Sequence, residues 1–337
     1  MRTRVKISDV ARMAGVSPTT VSHALSGKRP VGGEIKQRIF DVVREMDYRP
    51  NFFAGAIRQQ KTMLVGVLVK DCVSSATTML LETIEAELSR HNYEILLGIA
   101  GLNVEKGRHL MKKFSSGMVD GVINMLPQIS NTEAIQLCRG TPVITHLRCP
   151  ESPIYIDYED GARQALEYLW GIGHRRIGLI ASATRRYLAA DPVQTAYQNF
   201  MAAHNAELHP ELELTGNDTT ADGRAIADLL ICRGVTAILA ANDQMAVGAY
   251  QAAYARGMKL PDELSVIGSD DSPLATSVYP ALTTIQLPLR EIARHTVEAF
   301  LNCVNGGPPH QTQIVLPRLI IRESVAGPLR IKKSVHK

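Results

Sequence analysis

From about residue 63 onward, short apolar runs alternate with amphipathic stretches, and this alternation constrains the fold more than any other feature of the sequence. A first series of predicted strands covers residues 63–69, 93–99, 119–125 and 142–145, with helical patterns near residues 78–91, 105–116 and 131–139. A second series covers residues 177–181, 235–240 and 264–268, with helices near residues 160–172, 192–206, 222–233 and 243–257. Strands that alternate with helices form parallel sheets covered by helices, so the sequence predicts two doubly wound α/β lobes. We expect ligands to bind between the lobes, at the carboxyl ends of the strands.

The charges are divided unevenly between the first 61 residues and the rest of the 337-residue chain. The first segment carries 12 Lys and Arg against 5 Asp and Glu, a net charge of +7, whereas the remainder carries 25 against 28, a net charge of −3. A short basic segment on a slightly acidic body is typical of nucleic-acid binding. The length and the 45% of hydrophobic residues exclude a single small module and wholesale disorder.

The sequence also predicts the compartment. The basic N-terminal residues are not followed by an apolar stretch of signal-peptide length, and the apolar run at residues 63–69 is too short to span a bilayer. We therefore expect a cytoplasmic protein with no membrane partner. The cysteines form no CxxC pair and have no His at zinc spacing, so we expect free, buried thiols and no metal or other cofactor; they are Cys72, Cys138, Cys149, Cys232 and Cys303.

The basic segment has the pattern of a helix-turn-helix. Residues 7–14 place apolar side chains three and four apart, and Gly15 ends this first helix. Ser17 as N-cap and Pro18 at the first position then open a second helix, which runs to about residue 25. A third helix, from about residue 34 to 46, covers the first two with Ile35, Ile39, Val42, Val43 and Met46. Two short helices joined by a tight turn are the arrangement that places the second helix in the DNA major groove.

The predicted second helix carries short polar side chains outside its apolar face, and these are suited to phosphate oxygens and base edges. The candidate DNA contacts in this segment are Ser17, Pro18, Thr19, Thr20, Ser22 and His23. We expect Thr19 and His23 to read most of the bases, because Pro18 offers only apolar contact. The alternative is a generic three-helix module whose polar residues face solvent; the local charge of +7 argues against it.

These residues also carry a family resemblance. The motifs are Ile-Ser-Asp-Val-Ala at residues 7–11, Ala-Gly-Val-Ser at 14–17, Thr-Val-Ser at 20–22, Tyr-Arg-Pro-Asn at 48–51, Asn-Asp-Gln-Met-Ala at 242–246 and Asp-Asp at 270–271. The chain resembles, over nearly its whole length, the lac repressor (LacI/GalR) family of bacterial transcription regulators. The resemblance implies an all-α helix-turn-helix domain followed by a periplasmic-binding-protein-like core in which the chain crosses between the lobes three times. It also implies a repressor that binds a palindromic, double-stranded operator as a homodimer.

On this basis we divide the chain into a DNA-binding domain (residues 1–48), a hinge helix or linker (49–61), a two-lobed effector and dimerisation domain (62–330) and a basic tail (331–337). Lobe 1 is expected at residues 62–157 and 288–316, and lobe 2 at 158–287 and 317–329. In the resembled family the hinge helix enters the minor groove, which implies DNA contacts for Asn51 and Ala54 and a wedging role for Ile57. The alternative is an ordinary linker. The sequence after residue 328 lacks a leucine heptad, which favours a dimer over a tetramer.

The resemblance implies a cleft between the lobes in which a small-molecule effector changes the lobe angle and so controls DNA binding. Asp71, Asn242 and Asp270 match cleft positions, although Asn242 and Asp270 are equally suited to capping the following helix. Arg148, with Arg185 and Arg186, is a candidate anion contact or else solvated surface.

Three positions that are polar in many relatives are aliphatic here: Leu147, Val193 and Leu287. The chain is also only 5% aromatic, whereas a sugar site needs polar partners and usually a stacking ring. We therefore expect an atypical or less polar effector, or a lost effector response.

No enzyme motif is present: the sequence has no GxSxG, Walker A, GxGxxG after the first strand, or HExxH. Asp270 and Asp271 are adjacent at a predicted strand end and are expected to diverge, and His174 is expected to pack or cap a helix rather than react. The sequence thus predicts a regulator and not an enzyme. The competing class is a cytoplasmic sugar-binding or sugar-processing α/β protein whose N-terminal module serves assembly.

Overall fold

The computed structural model describes residues 5–27, 29–49, 61–145, 152, 154–183, 191–307 and 311–328. The chain divides into two compact units, residues 1–62 and residues 63–337. Several of the predicted features lie outside the described residues: the hinge helix with Asn51, Ala54 and Ile57, the arginines Arg148, Arg185 and Arg186, Leu147, Cys149 and the basic tail.

The N-terminal unit contains the predicted helix-turn-helix. Helix α1 spans Ile7–Ala14, α2 spans Pro18–Ser26 and α3 spans Gly33–Glu45. Gly15 ends α1 with φ 64°, a left-handed conformation that glycine adopts without a Cβ penalty. The Ser17 hydroxyl accepts from the Thr20 amide at 3.1 Å, so the predicted N-cap is confirmed.

The helices of this unit enclose a small apolar core. Its buried members are Val10, Ala11, Ala14, Val21, Ala24, Ile39, Val42 and Tyr48. The prediction of a core position is wrong for Ile35, which is 37% exposed. The core begins one helical turn later, at Ile39, because the first turn of α3 has no apolar partner in the cluster.

The second unit begins with the lobe that we call lobe 1. Its sheet is parallel, with the order β2-β1-β3-β4 among the described residues. The strands are β1 Leu64–Val69, β2 Glu94–Ile99, β3 Gly121–Asn124 and β4 Val143–Thr145. The helices are α4 Ser75–Ser89, α5 Val104–Phe114, α6 Asn131–Cys138 and, from much later in the chain, α12 Leu289–Val304. The first predicted α/β series is thus confirmed.

Lobe 2 contains the second sheet, whose described strands have the order β12-β10-β9-β8-β6-β7. They are β6 Ile177–Ser182, β7 Glu213–Gly216, β8 Ala237–Ala240, β9 Ser265–Asp270, β10 Thr283–Gln286 and β12 Arg318–Ile320; only β12 pairs antiparallel. The helices are α7 Tyr158–Gly171, α8 Pro192–Ala203, α9 Thr220–Cys232, α10 Asp243–Ala255 and the short α11 Pro273–Ser277.

The chain passes three times between the lobes. A two-stranded parallel ribbon of β5, Ile154–Ile156, and β11, Gln313–Val315, accompanies two of these crossings. The third runs from β10 to α12. The predicted three-crossover arrangement of a periplasmic-binding-protein-like core is therefore confirmed, and each lobe is discontinuous in sequence.

Helices α9 and α10 approach each other at backbone distance through two glycines. A Cβ at Gly248 would lie under 3.0 Å from the Thr220 carbonyl oxygen and the Arg224 amide nitrogen. A Cβ at Gly223 would meet the Met245 backbone equally closely. This contact fixes the start of α10 against the start of α9, at the edge of the sheet where the cleft residues lie.

The thiols and His174 are placed as follows. Cys138 is buried and Cys303 is half-buried, but Cys72 and Cys232 are exposed, so the prediction of buried thiols is wrong for those two. Cys72 lies in the loop between β1 and α4, and Cys232 is the last residue of α9. His174 is buried and bonded on both ring nitrogens, to the Thr236 hydroxyl at 2.8 Å and the Ala326 carbonyl at 2.8 Å, as expected for a packing residue.

Within the described part of the chain, no helix combines the length and the apolar character needed to cross a membrane. The same residues contain no group of three or more His, Cys, Asp and Glu side chains placed to hold a metal ion.

Candidate nucleic-acid interface and interlobe cleft

Helix α2 presents the candidate DNA contacts at its N-terminal end. Ser17, Pro18 and Thr19 are exposed, and Thr20, Ser22 and His23 are half-buried. The Ser17 and Thr20 hydroxyls lie 2.9 Å apart, so both are occupied in capping the helix while they remain accessible from outside. The exposed N-terminus of α2, with its amide groups and partial positive charge, is suited to a phosphate oxygen.

The turn before α2 is held by the backbone. Gly15 bonds the Arg12 carbonyl at 3.3 Å and Val16 bonds the Ala11 carbonyl at 3.0 Å, which closes the end of α1. The buried faces of α1 and α2 share Val10, Ala14, Val21 and Ala24. Packing thus fixes the angle at which α2 projects from the rest of the unit. A helix that contacts bases in the major groove requires such a fixed orientation.

In lobe 1, the candidate effector residue Asp71 follows β1. Its Oδ1 accepts from the backbone amides of Val73 at 3.0 Å and Ser74 at 3.2 Å, and its Oδ2 lies 3.6 Å from the Lys70 ammonium. About a third of the Asp71 side chain remains exposed. Asp71 therefore stabilises the loop after β1, and part of its side chain is exposed at this strand end.

In lobe 2, Asn242 follows β8 and caps α10. Its Oδ1 accepts from the Met245 amide at 2.7 Å, and its Nδ2 donates to the Asp218 carboxylate at 3.0 Å. The capping alternative is thus confirmed for Asn242, and one amide hydrogen and one oxygen lone pair are left for other partners. Sequence reasoning missed Asp218, because the strand before it, β7, is short and polar; its place just before the Thr219 cap of α9 was the available signal.

Asp270 is the last residue of β9 and adopts φ 113°, a left-handed conformation that is strained for a residue with a Cβ. The N-cap position of α11 is occupied by Ser272, so the capping alternative is wrong for Asp270. The adjacent Asp271 accepts from Arg322 and from Gln286, each at 2.6 Å.

A buried carboxylate that sequence reasoning did not single out lies beneath these residues. Asp243, the first residue of α10, is 1% exposed. It accepts from the Ser272 amide at 2.7 Å and from the Ser272 and Thr284 hydroxyls at 2.8 and 2.6 Å. Burial raises the pKa of Asp243, and these hydrogen bonds oppose the rise. The network joins Ser272, in the loop after β9, and Thr284, near the start of β10, to the start of α10.

Two family models match the chain. Residues 6–51 match "Bacterial regulatory proteins, lacI family", and residues 166–325 match a "Periplasmic binding protein-like domain". The first covers all three helices of the N-terminal unit, and the second covers most of lobe 2 and the later crossings. The chain therefore carries a lacI-family DNA-binding domain and a periplasmic-binding-protein-like domain.

Curated relatives match nearly the whole chain. The ribose operon repressor of Haemophilus influenzae is 27% identical, over 95% of this chain and 98% of that protein. The repressor PurR of Pasteurella multocida is 28% identical, over 96% and 99%. Among solved structures, the lac repressor dimer bound to operator and an anti-inducer has a TM-score of 0.86, with 23% identity, over 96% of this chain and 100% of that chain. This structural likeness shows the shared fold.

Two of the three aliphatic residues at predicted cleft positions are part of the core. Val193, in the first turn of α8, is 5% exposed, and Leu287, just after β10, is 7% exposed. Each packs in an apolar cluster, Val193 in lobe 2 and Leu287 in lobe 1. At these two positions the chain therefore uses side chains for packing and offers no hydrogen-bonding group.

Proposed function

We propose that this protein is a transcription repressor that binds a palindromic operator as a homodimer and responds to a small molecule bound between its lobes. The observation that carries the proposal is the helix-turn-helix of residues 7–26, with a capped, exposed and polar α2 N-terminus, in one chain with a two-lobed binding core. The relatives named above are repressors, which favours repression over activation and argues against an enzyme.

DNA contact is assigned to the exposed and half-buried residues of α2. Thr19 and His23 lie one helical turn apart on the same face, so both reach the same stretch of major groove. Ser17, Pro18, Thr20 and Ser22 approach the backbone and flank the base contacts. Asn51, Ala54 and Ile57 remain proposed minor-groove contacts on the strength of the family resemblance.

The effector site is assigned to the strand ends that face the cleft, with Asp71, Asn242 and Asp270 as its polar residues and Arg148 as a proposed anion contact. Asp71 and Asn242 already commit about half of their hydrogen-bonding capacity within the protein. Val193 and Leu287 add none. A cleft with so few uncommitted polar groups fits a polyhydroxylated neutral sugar poorly, which supports an atypical effector or a lost response.

DNA binding is tested by comparing the full chain with a fragment that lacks residues 1–61. Residues 63–337 form a compact unit of their own, so the fragment should keep its circular dichroism and melting behaviour. We expect selection from random duplexes to return a palindrome for the full chain and nothing for the fragment. Retention of duplex binding by the folded fragment would contradict the proposal and favour a module that serves assembly.

The effector assignment is tested by calorimetric titration of the full chain with common neutral hexoses and with nucleobases. We expect no tight binding of a neutral hexose, because the described strand ends at the cleft offer few donors and acceptors to pair its hydroxyls. Tight binding of an ordinary hexose would overturn the proposal of an atypical effector while leaving the DNA-binding function untouched.

A further inference from the structure

The two lobes make a direct hydrogen bond across the mouth of the cleft. The Gln244 Nε2 atom, in the first turn of α10 in lobe 2, donates to the Val73 carbonyl oxygen in lobe 1 at 3.4 Å. Val73 lies in the loop between β1 and α4, far along the chain from the three crossovers. The bond therefore adds a constraint on the lobe angle that the crossover strands do not supply.

The lobe 1 side of this contact is held in place by its own hydrogen bonds. Asp71 accepts from the amides of Val73 and Ser74, which fixes the loop after β1. The Thr78 hydroxyl lies 3.1 Å from the Cys72 carbonyl and 3.1 Å from the Ser74 carbonyl. The carbonyls on both sides of Val73 thus have partners within lobe 1, whereas the Val73 carbonyl accepts from lobe 2.

The lobe 2 side is equally well anchored. Asn242 caps α10 and is tied to Asp218, and Asp243 is buried among Ser272 and Thr284. The backbone at Gln244 is therefore fixed, and only its side chain can adjust. A carboxamide with three rotatable bonds, projecting from a rigid helix start toward a rigid carbonyl, can form and break this bond without any rearrangement inside either lobe.

We propose that Gln244 and the Val73 carbonyl form an interlobe latch that holds the cleft closed in the absence of any ligand. A hydrogen bond of this kind changes the ratio of closed to open molecules by about 2-fold to 12-fold. Asp71 and Asn242 then act as positioning residues for the latch, one in each lobe. The inference concerns the lobe angle alone, so it does not depend on the identity of the operator or of the effector.

The latch is tested by measuring the distribution of distances between the lobes in the full chain. Spin labels are placed on cysteines introduced at two exposed helix positions, Lys112 in α5 and Ala202 in α8, after replacement of the native cysteines. Labelled protein is diluted with unlabelled protein, so that double electron–electron resonance reports distances within one chain.

Two variants remove the donor and one serves as a matched control. Gln244→Ala deletes the side chain, and Gln244→Glu keeps its size but places a carboxylate, which cannot donate, opposite the Val73 carbonyl. Glu is well tolerated in the first turn of a helix, so this variant should fold. Gln251→Ala changes the same residue type on the exposed face of the same helix.

We expect both Gln244 variants to shift the distances toward a second, more open population by about 2-fold to 12-fold, with Gln251→Ala matching the parent. Thermal melting of each variant checks that the lobes remain folded. Identical distance distributions for the parent, Gln244→Ala and Gln244→Glu would overturn the latch. That result would leave the proposed DNA-binding function standing, because no DNA or effector enters the measurement.

Discussion

At the scale of single residues, Asn242 shows how one side chain serves both the fold and the site. Its oxygen caps α10 and its amide nitrogen holds Asp218, so its orientation is fixed before any ligand arrives. The sequence places Asn242 at a strand end and so predicts either role, but it does not reveal Asp218, whose strand and turn are too short to produce a pattern. Pairs formed by residues 24 apart depend on how α9 and α10 pack, and packing is not visible in local periodicity.

Substitution of His23 tests whether this residue contacts the bases of the operator. Replacing His23 with Ala should relax specificity at one operator base pair by about 1 to 3 kcal/mol, because an imidazole on the groove-facing side of α2 is lost. The measurement is a binding selection or a competition assay on operators that differ at single positions. The salt dependence of binding should stay unchanged, since no phosphate contact is removed; unaltered base preference at every position would refute the assignment.

His174 gives a test in the pH dependence of stability. Burial favours the neutral ring, in which Nε2 donates to the Ala326 carbonyl, which can only accept, and Nδ1 accepts from the Thr236 hydroxyl. Burial lowers the pKa of His174 in the folded protein, so below about pH 6.5 the unfolded chain takes up a proton at this residue before the folded chain does. This residue should therefore contribute full stability above that pH, and stability should fall as the solution becomes more acidic.

Denaturant unfolding between pH 7.5 and pH 5.5 measures this effect, with His174→Gln as the comparison. The variant is expected to be less stable at neutral pH, since the buried hydrogen bonds are disturbed, but to lose less stability on acidification. Equal losses in the two proteins would show that other groups account for the acid sensitivity.

At the scale of elements, strongly patterned segments are predictable and short polar ones are not. Strands such as β1, Leu64–Val69, and β6, Ile177–Ser182, are apolar runs buried on both faces, and such runs are predictable from the sequence. Strand β7, with the sequence Glu-Leu-Thr-Gly, is not predictable in this way, because an edge strand of four residues carries too little apolar periodicity. The strands β5, β11 and β12 have three residues each and exist only through partners distant in the sequence.

The contact between α9 and α10 gives a test at this scale. Gly248→Ala should lower the free energy of unfolding by about 1 to 3 kcal/mol, because the added methyl group meets backbone atoms of α9 that cannot rotate away. Denaturant unfolding measures the change.

Gly171→Ala is the matched control for this substitution. Gly171 lies at the end of α7, and a Cβ there meets nothing within 4 Å. The control should be neutral or stabilise the protein by up to about 1 kcal/mol through helix propensity. If the two substitutions had the same effect, close packing would not be the reason for glycine at position 248.

At the scale of the whole molecule, the charge division determines how DNA binding responds to salt. A dimer presents two segments of charge +7, carried by bodies of charge −3 that need not touch the duplex. If 6 to 10 phosphates are neutralised, operator affinity should fall by roughly 10³-fold to 10⁵-fold between 50 mM and 200 mM salt. Fluorescence anisotropy on a labelled operator checks this, and a nearly flat response would contradict a binding mode dominated by the basic segments.

The crossover topology also sets the order in which the protein can be completed during synthesis. The helix-turn-helix unit is contiguous and can fold as soon as it leaves the ribosome. Lobe 1 cannot be finished until α12 and β11 emerge, and these follow all but one strand of lobe 2 in the chain. Lobe 2 then waits for β12. A ribosome that stops before residue 289 therefore releases a chain with a contiguous N-terminal unit but two unfinished lobes, which lacks the complete interlobe cleft proposed to regulate that unit.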